Sequence, residues 1–233
     1  MGREFELPKE IELPASPEEV WQAIATGPGM AAWFMPMEID PDSAQVAEWS
    51  PPHRLFVRTP EAPDGSTQAF QYLIEGRDGG TSVLRFVHSG VLGDDWDGEY
   101  EGMTSSGWDM YLFTLGEYLR HFRGRPATYA EAEAPAPGGW DRLLRALGTA
   151  RLGSPVKIDL PGGPSLEGEV DYVTAKFVGL RTPDALVRFH ERSAVGLPIA
   201  VSDHHYGETG DPQDRAGSWQ RWLAATVGDG APL

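Results

Sequence analysis

Two periodicities take turns along the chain. Over 99–123 the apolar residues Trp108, Tyr111, Leu112, Leu115, Leu119 and Phe122 recur three and four apart, which makes one stripe on a long helix and cannot make a strand. Just before the stripe, Gly102, Thr104, Ser105, Ser106 and Gly107 keep the first turns thin, leaving room for a cavity beneath them. Elsewhere in the first half the period is two. Over 5–13, Phe5, Leu7, Ile11 and Leu13 alternate with charged positions, an amphipathic strand expected to break or bulge at Pro8. Further strand runs are expected at 45–49, 55–59, 68–76 and 81–89, with turn chemistry at Pro51-Pro52, Pro63-Asp64-Gly65 and Asp78-Gly79-Gly80. Connections this short make antiparallel neighbours. Side chains alternate along a strand, so Phe70, Tyr72 and Ile74 share a face, as do Leu84, Phe86 and His88, and these faces should meet the helix. Between the first strand and the others, Ser16, Pro17 and Glu19 spell a capping box, which starts a helix with Val20, Trp21 and Ile24 inside. Gly27-Pro28-Gly29 is expected to end it before a short apolar segment at 30–34.

From 125 to 139 the composition shifts to Ala, Pro and Glu, as in a linker. A second reading relates it to the start of the chain. Glu133, Pro135, Pro137 and Trp140 follow the order of Glu12, Pro14, Pro17 and Trp21 at offsets of 119 to 121 residues. Strand runs come next at 156–160, 166–174, 177–180, 186–190 and 199–205, then a helix over 214–227. That helix sets Trp219, Trp222 and Leu223 in the same relation as Trp108, Tyr111 and Leu112. The expected division is a first domain over 1–124 and a second, smaller α+β domain over 125–233. The second is either a degenerate tandem repeat of the first or an appendage on its sheet edge.

The first half also resembles a known family. Glu12-Leu13-Pro14-Ala15-Ser16-Pro17-Glu18-Glu19-Val20-Trp21, Trp33-Phe34, Trp49 to Leu55, Val87-His88-Ser89-Gly90 and Gly107-Trp108 to Leu112 resemble the START-like (SRPBCC) superfamily. Within it they are most similar to the branch named for the activator of the Hsp-ninety ATPase, over about residues 4–123. The resemblance implies an α+β helix-grip fold, a curved antiparallel sheet around a long C-terminal helix with an apolar cavity between them. Members of the superfamily hold hydrophobic small molecules there, or perform cyclase chemistry. The cavity would be lined by Trp33, Phe34, Phe56, Phe70, Tyr72, Phe86, His88, Trp108, Tyr111 and Leu112. His88 is the catalytic candidate, as a general acid/base titrating near neutrality; a ligand contact or a histidine satisfied by backbone or solvent fits the same position. Tyr72 and Tyr111 each offer an apolar body with one polar tip.

Composition narrows the partners. With 28 glycines and 20 prolines the chain is turn-rich, and its net charge of −16 is acidic in both halves, which repels nucleic acid and anionic membrane surfaces. The absence of cysteine excludes disulfides and thiolate chemistry and, with a charged N-terminus and no membrane-length apolar run, fits a soluble cytoplasmic protein. No metal or other cofactor is expected. The acidic run Asp94-Asp95-Trp96-Asp97-Gly98-Glu99 fails the EF-hand pattern, with Gly93 and Thr104 where ligands are required, and reads as carboxylates at a helix start. In Asp203-His204-His205 the two imidazoles point to opposite faces of a strand. No HExxH, P-loop, GxGxxG or GxSxG occurs. Three functions remain: binding of a hydrophobic or amphipathic small molecule, cyclase/aromatase-like catalysis through His88, and a protein-interaction, cochaperone-like module. Oligomeric state is open.

Overall fold

A computed structural model of the chain describes residues 2–93, 99–135, 138–148, 150–163, 165–207 and 211–228. The chain divides into two units, 1–126 and 127–233. In the first, β1 (Arg3–Leu13) leads into α1 (Pro17–Ala25) and α2 (Gly27–Ala31). A meander of β2 (Val46–Ser50), β3 (Arg54–Arg58), β4 (Thr67–Arg77) and β5 (Thr81–Leu92) follows, and α3 (Glu99–His121) closes the unit. The strands form one antiparallel sheet in the order β1-β5-β4-β3-β2. The first strand joins the last, and the meander runs outward from there.

The local causes are those of the sequence. Ser16 Oγ accepts the backbone N–H of Glu19, and the Glu19 carboxylate accepts that of Ser16 at 2.8 Å, a complete capping box. Glu19 also receives Arg123 at 2.8 Å. Its carboxyl is held below the usual range, first by the Ser16 backbone bond. One local expectation is refined and one corrected. α1 ends at Ala25, just before Gly27-Pro28-Gly29 as expected, but that segment is itself helical, the first turn of α2, because Thr26 Oγ1 caps the Gly29 N–H at 3.1 Å. Pro8 does not break β1, whose pairing with β5 is continuous through Pro8 and Val87. β1 is an edge strand, where a missing N–H that faces outward costs no ladder bond.

The second unit repeats this plan. It runs β6 (Thr128–Ala134), α4 (Gly139–Ala146), β7 (Pro155–Asp159), β8 (Ser165–Val173), β9 (Phe177–Arg181), β10 (Ala185–His190), β11 (Ile199–His205) and α5 (Pro212–Val227). The sheet order is β6-β11-β10-β9-β8-β7, again first strand beside last. β6 lies in the middle of the stretch read as linker. Its buried residues are Ala130, Ala132 and Ala134, alternating with Glu131 and Glu133. The period is two, but alanine has little strand preference and hides the signal. Trp219 and Leu223 of α5 are fully buried against Phe189, Val187 and Val201 of this sheet.

Candidate functional site

The inner face of the first sheet collects the aromatic residues. Register puts Tyr72 beside Phe86 and beside Leu55, and Phe70 beside His88. Residues paired in this way project to the same side. Trp108 enters from α3, its ring 4.3 Å from Phe86 and 5.4 Å from Phe34, on which it stacks. Phe34 meets Tyr111 edge to face at 4.7 Å and lies 5.6 Å from Trp33. Trp33 is fully buried and donates its indole N–H to Ala23 O at 2.9 Å. Leu112 is buried on the same helix. The structure thus brings together Trp33, Phe34, Phe70, Tyr72, Phe86, His88, Trp108 and Tyr111.

Phe56 does not join them. It pairs with Gln71, which pairs with Val87, so it stands on the opposite face of the sheet from Leu55, Tyr72 and Phe86. One position of register decides the face, and the turn at 51–53 sets Leu55 rather than Phe56 inward.

His88 is the polar centre of the group. The Trp108 indole N–H donates to its Nδ1 at 3.0 Å, so the ring carries its proton on Nε2, which donates to Gln68 Oε1. Gln68 in turn donates to the Tyr100 hydroxyl at 3.4 Å. Phe70 stacks on the imidazole at 4.5 Å and Phe5 meets it edge-on at 5.0 Å. Both ring nitrogens are engaged, and burial pushes the imidazole down to about 4. At neutral pH His88 is a neutral tie between α3 and β5, with neither nitrogen open to a substrate. That geometry removes the availability expected of a general acid/base.

Gln68 is the partner the sequence reading missed. It extends the Phe70, Tyr72, Ile74 alternation by two residues, so the same period that placed Phe70 also places it beside His88. Lys9 is a second such residue. Its ammonium reaches Ser105 Oγ at 2.8 Å and Asp109 at 2.6 Å, fixing α3 to β1 and using one hydroxyl of the small-residue run. At Gly102 and Gly107 of that run an added Cβ would meet no described atom within 4 Å.

Folding holds protons off His88, and His190 of β10 behaves alike, pushed down to about 3 first by burial and then by Arg192, Arg188 and His204. The unfolded chain takes up those protons near pH 6.5. Stability present above that value is therefore lost as pH falls from about 6.5 toward 4. The thermal midpoint should drop between pH 7 and pH 5, and His88→Gln should flatten that drop without abolishing it, since His190 remains. An identical slope in the variant would refute the assignment.

In the second unit, Trp219 of α5 donates its indole N–H to Asp203 Oδ2 of β11 at 2.6 Å, as Trp108 does to His88. Arg215 Nε reaches the same oxygen at 2.6 Å. Asp203 thus takes the place of His88, on the strand that precedes the closing helix. His204 and His205 stand on opposite faces of β11; His204 packs 5.2 Å from the Tyr129 ring, and His205 Nε2 lies 3.7 Å from Asp184. Among the described residues no three metal-ligating side chains come together. Asp94 to Gly98 of the acidic run lie outside the described residues, and Glu101, which follows them, pairs with Arg3 at 2.8 Å. Among the described residues no helix is long and apolar enough to cross a membrane.

No family model and no curated protein matches the sequence. Solved structures do. The chain is similar to the Aha1 dimer from Colwellia psychrerythraea, at 17% identity and a TM-score of 0.41 over 52% of this chain and 99% of that one. It is similar to DynU16, described as a putative protein in the dynemicin biosynthetic locus, at 17% and 0.40 over 95% of both chains. Protein BH1534 of Bacillus halodurans aligns at 22% and 0.42 over 51% of this chain and 99% of that one. The fold is a helix grip. The strand order, the register and the helix laid over the inner face establish it.

Proposed function

We propose that the first unit binds a hydrophobic or amphipathic small molecule between its sheet and α3, oriented by the Tyr72 hydroxyl. One observation carries the reading. Tyr72 is buried, its ring 5.0 Å from Phe86, and its hydroxyl makes no hydrogen bond among the described residues. Burial alone raises its pKa above the ordinary phenol range, so the group stays protonated and can both donate and accept. The hydroxyl is not sealed in the core, so a ligand with an apolar body and one carbonyl, carboxyl or hydroxyl can reach it as a hydrogen-bond partner. The aromatic walls supply the apolar contacts.

Native mass spectrometry and solvent extraction of the purified protein should reveal a bound molecule, and a long-chain fatty acid should quench Trp108 fluorescence on titration. Tyr72→Phe should weaken that probe about three- to tenfold, the value of one hydrogen bond. The same variant should leave the thermal midpoint close to that of wild type, because the hydroxyl holds no hydrogen bond in the fold. No extractable ligand together with no fatty-acid binding, or equal binding by Tyr72→Phe, would overturn the proposal.

A further inference from the structure

The outer face of the first sheet, turned away from α3, carries its side chains in rows that the register defines. One row crosses β1, β5, β4 and β3 as Glu10, Arg85, Leu73 and Arg54. The next is Pro8, Val87, Gln71 and Phe56, and the third is Glu6, Ser89, Ala69 and Arg58. Both flanking rows start with glutamate on β1 and end with arginine on β3, three strand spacings or about 14 Å away. The row between them is mainly apolar. Glu10 is bonded to Arg85 at 2.7 Å, while Glu6, Arg54 and Arg58 have no ion-pair partner among the described residues. The Arg58 guanidinium lies 4.5 Å over the Phe56 ring. Beside Phe56, Leu73 and Val87 a recess of about 280 Å³ opens between Arg54 and Glu48.

We propose that this face is a self-association surface that takes a second copy of the chain. Rotating one copy by a half turn about an axis parallel to the strands and midway between β4 and β5 lays β1 of each copy over β3 of the other. Height along the strands is unchanged by that rotation, so every row meets itself reversed. Glu10 comes opposite Arg54, Glu6 opposite Arg58, and Pro8 opposite Phe56 and its recess. A half turn about the perpendicular axis in the same plane would set glutamate on glutamate. A purely basic partner would leave the arginines unmet, and a purely acidic one the glutamates. The rows call for a surface carrying both signs at this spacing, which the face itself provides, as an isologous interface requires. Two such sheets would pack about 10 Å apart.

The patch spans four strands, so the interface is small and the dimer weak and concentration-dependent. Sedimentation velocity of the full chain, at about 0.1 M salt to screen the overall negative charge, should show dimer growing toward about 0.5 mM protein, as expected of a small interface. Arg58→Glu alone and Glu6→Lys alone should each weaken association about tenfold or more through like-charge contacts. Mixing the two variants should restore a dimer, since each reversed charge then faces its complement. Circular dichroism checks that both variants, altered only at exposed positions, remain folded. A monomer throughout the range, a dimer indifferent to both reversals, or a mixture that fails to recover would each overturn the proposal.

Discussion

Asp203→Ala is expected to cost the second unit about 3–5 kcal/mol, read as a fall in the urea midpoint followed by tryptophan fluorescence. Asp203 is fully buried, and one of its oxygens holds both Arg215 and Trp219 of α5 at 2.6 Å. Truncation strands a guanidinium that is itself buried, and an indole N–H with it. The size of the loss measures the cost of leaving that charge unpaired more than the worth of the pair. Two further variants separate the parts. Asp203→Asn keeps an acceptor for Trp219 but no charge for Arg215, and should fall between wild type and alanine. The double replacement Asp203→Leu with Arg215→Met removes both charges together and should recover most of the stability, because an apolar pair of similar volume needs no desolvation. A midpoint for Asp203→Ala equal to wild type would show that the pair does not hold α5 to β11.

Trp108→Ala is the corresponding loss in the first unit, expected at about 3–5 kcal/mol. The indole is buried where it touches Phe34, Phe86 and Phe70, and no neighbouring ring can fill the hole. Its removal also frees His88 Nδ1, the link on which the Trp108, His88, Gln68 and Tyr100 series depends. Trp108→Phe isolates that link. It keeps most of the apolar contact and withdraws only the donor, and should cost about 1–3 kcal/mol for an imidazole nitrogen left unpartnered. Equal losses for Phe and Ala would mean that the hydrogen bond, not the packing, dominates. Near-zero loss for Phe would mean that His88 finds another donor.

The elements with a strong period were legible from the chain. The stripe ending at Phe122 gave α3, and the Ser16 to Glu19 box gave the start of α1, because both signals are local and need no partner. The α3 stripe was nonetheless too narrow a guide to burial. Met110 and Thr114 are fully buried, and Glu117 and Tyr118 nearly so, although none belongs to it. β6 was hidden for the opposite reason. Its alternation is carried by alanine, and only pairing with β11 turns it into a strand. Of the candidate site, Phe70, Tyr72, Phe86 and Trp108 could be placed from spacing, whereas Phe56 could not, since a shift of one residue reverses its face.

The sequence by itself determined the capped first helix, the strands of the first meander and the long closing helix with Trp108 on its apolar stripe, all properties of spacing along one chain. Tertiary structure decided what the tryptophans of the two closing helices find. Trp108 meets a neutral imidazole and Trp219 a paired carboxylate, residues 20 and 16 positions away along the chain. It also decided that glutamates of β1 and arginines of β3, separated in sequence by a helix pair and a strand, share rows on one face. The physical reason is the same in both cases. Hydrogen-bond partners and cross-strand rows are fixed by register, and register is settled only when strands pair.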